Sequence, residues 1–268
     1  NCHIDLFSKI SQADFDIQIE NLVNEVPELE ENEIICKIMK IFAQVGDSHT
    51  GIHNQENLSN FTLAHVNFSV FDDGLFITGF LEGYDEYLMK EVIAINGFTI
   101  EDIFDSIATV MPHENDYLVK SAFPNFLRLY QILEALDIIS SQNSYVLSLA
   151  NGTDLSLKTN SNTYTLTSCY SSENTPLYLQ NNEENYWYQL IDENIVYLQY
   201  NQCVEMSYLS FDDFNQQLFD EISDLQIDKF IIDLRLNTGG SSTIIAPLIE
   251  VLKKRDNMEG NLYVCMYW

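Results

Sequence analysis

The chain opens with apolar positions at helical spacing. Phe15, Ile19, Leu22 and Val23 fall on one face, and Ile34, Ile35, Ile38, Ile41, Phe42 and Val45 repeat likewise, which predicts two amphipathic helices. Gly46 stands where the second should stop, since glycine past a last turn accepts left-handed backbone. From Thr62 the period changes to two. Leu63, His65, Asn67 and Ser69 alternate with Ala64, Val66, Phe68 and Val70, and Asp73-Gly74 predicts a tight turn into Leu75 to Phe80. A strand from Val92 to Ile95 ends at Asn96-Gly97 and leads into a helix carrying Ile100, Ile103, Phe104 and Ile107. A further helix is expected to follow Pro124, with Phe126, Leu127, Tyr130, Leu133 and Leu136 inward. A hairpin at Asn151-Gly152 and a strand near Thr163 to Thr167 complete this part.

The last third alternates strand and helix. Ile195 to Tyr200 reads as a strand, and Ser210 caps a helix burying Phe211, Phe214, Leu218, Ile222 and Leu225. Phe230 to Leu234 is the continuous apolar run of a strand covered on both faces. Arg235 to Gly240 then opens a helix with Ile244, Ile245, Leu248, Ile249 and Leu252, ended by Lys253, Lys254 and Arg255 where cations suit the negative pole. Leu262 to Cys265 begins another strand. A β-α-β-α-β run of this kind implies parallel strands with chemistry at their carboxyl ends.

Composition narrows the classes of function. The 268 residues carry 12 Lys and Arg against 41 Asp and Glu, a net charge of −29. Nothing so acidic releases counterions from a phosphate backbone, so no nucleic-acid partner is expected. At 46% hydrophobic the chain is no disordered acidic tail. No apolar run approaches the ~18 residues of a membrane span. Cys2, Cys36, Cys169, Cys203 and Cys265 are scattered and odd in number, which argues against a disulfide framework or a zinc cluster. The first residue, Asn1, leaves room for an upstream signal or pro-segment.

Two loops are candidates for chemistry. In Asp233-Leu234-Arg235-Leu236-Asn237-Thr238-Gly239-Gly240 a buried strand runs into paired glycines. Its backbone N–H groups are suited to an anion, whether phosphate or the oxyanion of acyl transfer; equally, a tight turn there needs small residues. No Walker or GxGxxG spacing is present, so no cofactor is expected. Asp233 and Arg235 are expected to pair with each other or with loop backbone. The second loop is Asp47-Ser48-His49-Thr50, where the hydroxyls beside His49 can orient a general base, or where His49 is an ordinary loop residue. His49 and His53 are four apart, but the glutamate of an HExxH helix is missing and Gly51 opposes a helix, so no metal site is expected. Tyr186, Trp187, Tyr188, Tyr197 and Tyr200 suit either a groove or a core. Ser241 and Ser242 read as helix caps rather than nucleophiles.

Together these segments resemble the C-terminal processing, or tail-specific, serine peptidases and the related tricorn core peptidases. The resemblance rests on the helical pair ending in Asp47-Ser48-His49-Thr50, on Glu91 to Gly97 with its following helix, on Tyr197 to Asn201, and on Ile231 to Gly240. It implies a helical segment at 1–58, a degenerate PDZ-like region at 59–142, and at 143–268 part of an α/β catalytic domain of the crotonase/ClpP type. It also implies that His49 acts as base with Ser48 orienting it, as in the tricorn-like branch, and that Gly239 with Gly240 forms the oxyanion hole. The family's nucleophilic serine follows the strand after the glycine loop's helix. Here Leu262 to Cys265 is followed only by Met266, Tyr267 and Trp268, so the nucleophile is not in the chain. Two expectations remain: a fragment of a serine peptidase acting on peptides or proteins, or a non-catalytic protein of that fold that binds a peptide or other ligand. The resemblance favours an extracytoplasmic site and leaves the oligomeric state open.

Overall fold

The computed structural model describes residues 5–52, 61–140, 145–157, 165–171, 173–192, 194–255 and 260–266. The chain divides into two compact units, Asn1–Cys169 and Tyr170–Trp268.

In the first unit, helix α1 (Gln12–Glu25) starts where the Ser11 hydroxyl accepts from the Asp14 N–H, and ends against Pro27 in a short 3-10 turn. Helix α2 (Glu31–Ala43) starts in a capping box formed by Glu30 and Glu33 and buries Cys36, Met39 and Ile41. Leu22 is buried as its spacing predicts, whereas Val23 is 64% exposed, so the inward stripe of α1 is narrower than the apolar pattern. Gly46, at φ 66°, ends the second helix as expected.

An antiparallel sheet comes next, in the order β1 (Val66–Phe71), β2 (Gly74–Leu81), β3 (Glu91–Ile95), β5 (Tyr145–Leu149), β6 (Asp154–Leu157). Strand β4 (Phe98–Thr99) pairs with β3, and β7 (Leu166–Ser168) with β2. The alternation read from the sequence holds through Ala64, Val66 and Phe68, which are buried. Asn96 and Gly97 both have positive φ, 49° and 86°, the geometry of a two-residue hairpin turn. Helix α3 (Ile100–Ala108) is capped by Thr99 and buries Ile103 and Ile107 completely.

Two expectations change here. Helix α4 (Asp116–Phe126) starts at Asn115, whose side chain accepts from the Leu118 N–H, and Pro124 lies inside it. The cap outweighs the preference of proline for a first turn, and the helix ends two residues beyond Pro124. Helix α5 (Tyr130–Ala135) is a separate element. The second finding concerns residues 143–169, which the resemblance grouped with the last third. Strand β5 pairs with β3, β6 with β5 and β7 with β2, and Tyr145, Leu147 and Leu149 join the core around Ile103 and Ile107. Period-two spacing predicts a strand without naming its partner. The expected strand near Thr163 lies partly outside the described residues.

The second unit carries a four-stranded sheet ordered β11 (Leu262–Cys265), β10 (Lys229–Asp233), β9 (Ile195–Tyr200), β8 (Tyr186–Asp192). Strands β9, β10 and β11 are parallel and β8 is antiparallel to β9, so the parallel β-α-β-α-β run is present. Helix α6 (Phe211–Glu221) is capped by Ser210 and buries Phe211, Phe214 and Leu218 against Val196, Leu198 and Phe230. Leu225, expected inside, lies past the helix and is 38% exposed. Helix α7 (Ala246–Lys253) begins at Ala246, with Ile244 and Ile245 in the turn before it. The glycine loop therefore enters a turn rather than a helix N-terminus. Both units combine helix and sheet, a mixed α/β fold. Among the described residues no helix is long and apolar enough to cross a membrane, and Cys36, Cys203 and Cys265 are free thiols.

Truncating Ile107 to Ala removes a fully buried side chain and is expected to cost about 2–5 kcal/mol in chemical denaturation. Ile17→Ala, at a position 54% exposed, is expected to change stability by about 0.5 kcal/mol or less.

Candidate active site

The Ser-His loop begins directly after α2 and Gly46. Asp47 organises it: Oδ1 accepts from the His49 backbone N–H at 3.2 Å, and Oδ2 accepts from the Thr50 hydroxyl at 2.7 Å. This is the local side-chain-to-backbone bonding that aspartate favours in turns. Ser48 is held from farther away. Its backbone N–H and its hydroxyl both donate to Glu114 Oε1, each at 2.8 Å, across a separation of 66 residues. Ser48 Oγ lies 3.3 Å from His49 Nδ1, and Asp47 Oδ1 lies 3.6 Å from the same nitrogen. The imidazole itself is 93% exposed.

Glu114 stands immediately before Asn115, the cap of α4. The Ser48 backbone N–H, foremost, holds its carboxyl below the usual glutamate range, and the Ser48 hydroxyl adds to this. A depressed carboxylate of this kind holds its partner above its ordinary pKa and releases it as pH falls through the depressed value. The anchoring of Ser48 is therefore present at neutral pH. Spacing carries no sign of Glu114, because the contact is made by two loops distant in sequence. The same residues form a mixed donor set: Asp47, His49 and Glu114 each offer a ligand atom within 4.8 Å of the others, a combination suited to a divalent ion such as zinc. His53, the partner that spacing alone suggests for His49, lies outside the described residues.

The glycine loop belongs to the second unit. Strand β10 ends at Asp233, which is fully buried and accepts from the Tyr197 hydroxyl at 2.8 Å. Arg235 donates to it from Nε at 3.0 Å, from Nη2 at 2.5 Å and from its backbone N–H at 3.0 Å. This is the pairing expected from the sequence. Burial alone pushes the Asp233 carboxyl up, but the Arg235 and Tyr197 hydrogen bonds outweigh it and hold it below the usual range. The guanidinium also lies 4.0 Å above the Tyr178 ring. Burial, then the bond to Asp233, pushes the Tyr197 hydroxyl up.

Beyond this anchor the loop is laid against the segment after β9. Thr238 N–H donates to Asn201 O at 3.0 Å, Cys203 N–H to Gly239 O at 2.7 Å, and Ser241 N–H to Cys203 O at 2.9 Å. Gly239 and Gly240 take φ of 92° and 124°, and a Cβ on Gly240 would meet Cys203 O at 2.4 Å, so Gly240 has no substitute. The two candidate donors differ. Gly239 N–H donates to Asn237 Oδ1 at 2.9 Å, whereas Gly240 is exposed and its N–H has no acceptor among the described residues. The resemblance puts Gly239 first and Gly240 beside it.

The remaining candidates are structural. Tyr186, Trp187, Tyr197 and Tyr200 are buried, and Tyr186 packs on Phe211 and Phe214 at 4.9 and 4.8 Å. Tyr188 reaches Glu221 at 2.6 Å. Ser241 bonds Thr243 at 2.8 Å and caps no helix, because α7 starts later.

No family model and no curated protein matches this chain. Among solved structures it is similar to mature CPAF complexed with lactacystin, at a TM-score of 0.54 and 12% sequence identity. The likeness covers 87% of this chain and 52% of that one, so the chain spans about half the length of that structure. CPAF is a serine protease.

Two changes test the anchors. Asp233→Ala strands Arg235 and the Tyr197 hydroxyl and is expected to cost about 3 kcal/mol in urea denaturation at neutral pH, moderated by the partial exposure of Arg235. The contribution of Asp233 should fade only as pH drops through its depressed pKa, below the ordinary aspartate range. Gly240→Ala is expected to cost about 1–3 kcal/mol through the Cys203 clash and the positive φ. By contrast, Gly83, with nothing within 4 Å of an added Cβ, should incur only the smaller cost of its positive φ. The chain's outward likeness is thus to a serine protease fold, reached through structure and not through close sequence kinship.

Proposed function

We propose that this chain is part of a serine peptidase of the tail-specific, tricorn-like kind, hydrolysing peptide bonds in peptide or protein substrates. The observation that carries the reading is the state of His49, an exposed imidazole held on its Nδ1 side by Ser48 and Asp47. That leaves Nε2 outward, as a general base requires. The fold likeness to a serine protease supports the same reading.

In this mechanism His49 Nε2 takes the proton of a serine hydroxyl as that oxygen attacks the substrate carbonyl carbon. The serine belongs to sequence following β11. The family resemblance assigns the tetrahedral oxyanion to the Gly240 N–H, and to that of Gly239 once it is exchanged from Asn237 Oδ1. His49 then returns the proton to the leaving amine, and water releases the acyl group by the same base. On this reading 59–142 serves as a PDZ-like region, the second unit is a partial crotonase/ClpP-type domain, and the protein works outside the cytoplasm.

A second reading is a non-catalytic protein of this fold that binds a peptide or other ligand. It is favoured by one observation: the Gly239 N–H is already occupied by Asn237. The two readings separate on the full-length native protein. A serine-directed fluorophosphonate should label the peptidase, and His49→Ala should lower kcat by about 10⁴-fold or more. Peptide binding with neither labelling nor hydrolysis would sink the catalytic reading.

A further inference from the structure

Donors of two kinds meet at the Ser-His loop, one of them from far along the chain. Asp47, His49 and Glu114 each present a ligand atom within 4.8 Å of the other two, and Glu114 reaches the loop from 66 residues beyond Ser48. Asp47 Oδ1 and His49 Nδ1 are 3.6 Å apart. Two donors that each lie about 2.0–2.2 Å from one ion, near a tetrahedral angle, stand at much this separation. Glu114 completes the set by moving about 1 Å or less, which its exposed side chain allows.

The carboxylates stay anchored while they ligate. An ionised carboxylate has about four acceptor positions, so Glu114 Oε1 keeps the Ser48 N–H, and Asp47 keeps the His49 N–H and the Thr50 hydroxyl. Two carboxylates this close repel each other, and a divalent cation between them removes that cost. The imidazole selects the ion, because nitrogen beside carboxylate oxygen suits zinc, whereas magnesium and calcium take oxygen.

We propose that Asp47, His49 and Glu114 form an inhibitory zinc site in which the ion takes Nδ1 of the general base. A neutral imidazole has one N–H and one nitrogen with a free lone pair. With the Nδ1 lone pair given to zinc, the hydrogen resides on Nε2, and the outward nitrogen can accept no proton. Zinc thus switches the base off from behind, leaving its outward face unblocked. The ligand set stands on geometry; its inhibitory sense rests on the peptidase reading.

Two measurements test this. The first takes the 268-residue chain, stripped of metal by a chelator, and titrates it with zinc chloride in a calorimeter and by long-range nitrogen-15 NMR of the histidine rings. The His49 signals are assigned by their loss in His49→Gln, which alters a side chain 93% exposed and is expected to fold. Zinc should shift His49 Nδ1 to the metal-bound range with hydrogen on Nε2, and magnesium chloride should leave the ring unmoved. Glu114→Gln and Asp47→Asn should each weaken zinc binding by about 10-fold or more, and His49→Gln should abolish this site. A His49 ring unmoved by saturating zinc, or an affinity unchanged in all three variants, overturns the site; the NMR result decides even if the changes at 47 and 114 prevent folding. The second measurement uses the full-length native protein. Zinc should suppress fluorophosphonate labelling by about 100-fold or more, and a chelator should restore it. Labelling undiminished with zinc on Nδ1 overturns the inhibitory role. Absence of labelling in the metal-free protein strikes the peptidase reading, and the inhibitory sense with it, while zinc on His49 upholds the ligand set.

Discussion

A buried carboxylate governs the second unit. Asp233 ends β10 with no exposed surface, and an unpaired charge there would be costly enough to forbid the fold. Its partners therefore dictate the course of the chain beyond the strand. Arg235 must turn back on the strand it has just left, which sets the path into Asn237, Gly239 and Gly240. Tyr197 must aim its hydroxyl across from β9, and Gln199 and Asn201 extend the polar line to the backbone of Tyr178 and Glu184. The glycine loop has its shape because a charge beneath it has to be satisfied.

The first unit meets a similar need by a different route. In the Ser-His loop His49 is exposed and Asp47, Ser48 and Thr50 are half-buried, so desolvation does little to order the imidazole. Order comes from hydrogen bonds that converge from two sides: Asp47 within the loop and Glu114 from the turn before α4. Such bonds are individually modest, but together they leave the Ser48 hydroxyl a single direction.

Much of the architecture was legible. Alternation through Ala64, Val66 and Phe68, the Asn96-Gly97 turn, the Ser210 cap and the apolar run of β10 all correspond to elements in place, because each depends on local spacing or local backbone preference. Where partners decide, spacing was silent or misleading. Pro124 suggested a helix start until the Asn115 cap claimed it. The pairing of β5 to β7 with the first unit is not readable from spacing, since a period of two identifies a face and not the strand beside it. Leu225 was counted inward on a helix that had already ended.

The candidate site divides in the same way. Sequence alone determined the residue types that make acyl-transfer chemistry conceivable: Ser48 beside His49, and paired glycines after a buried strand. It also pointed Asp233 and Arg235 at each other or at the loop backbone, as they are two residues apart on one turn. Only tertiary structure decided that Glu114 holds Ser48, and that Gly240 must lack a side chain because the Cys203 carbonyl lies against it. The physical reason is range. Periodicity and turn chemistry act over a few residues, whereas the direction of a hydroxyl proton or the freedom of an amide is set by whichever distant group the fold brings within about 3 Å.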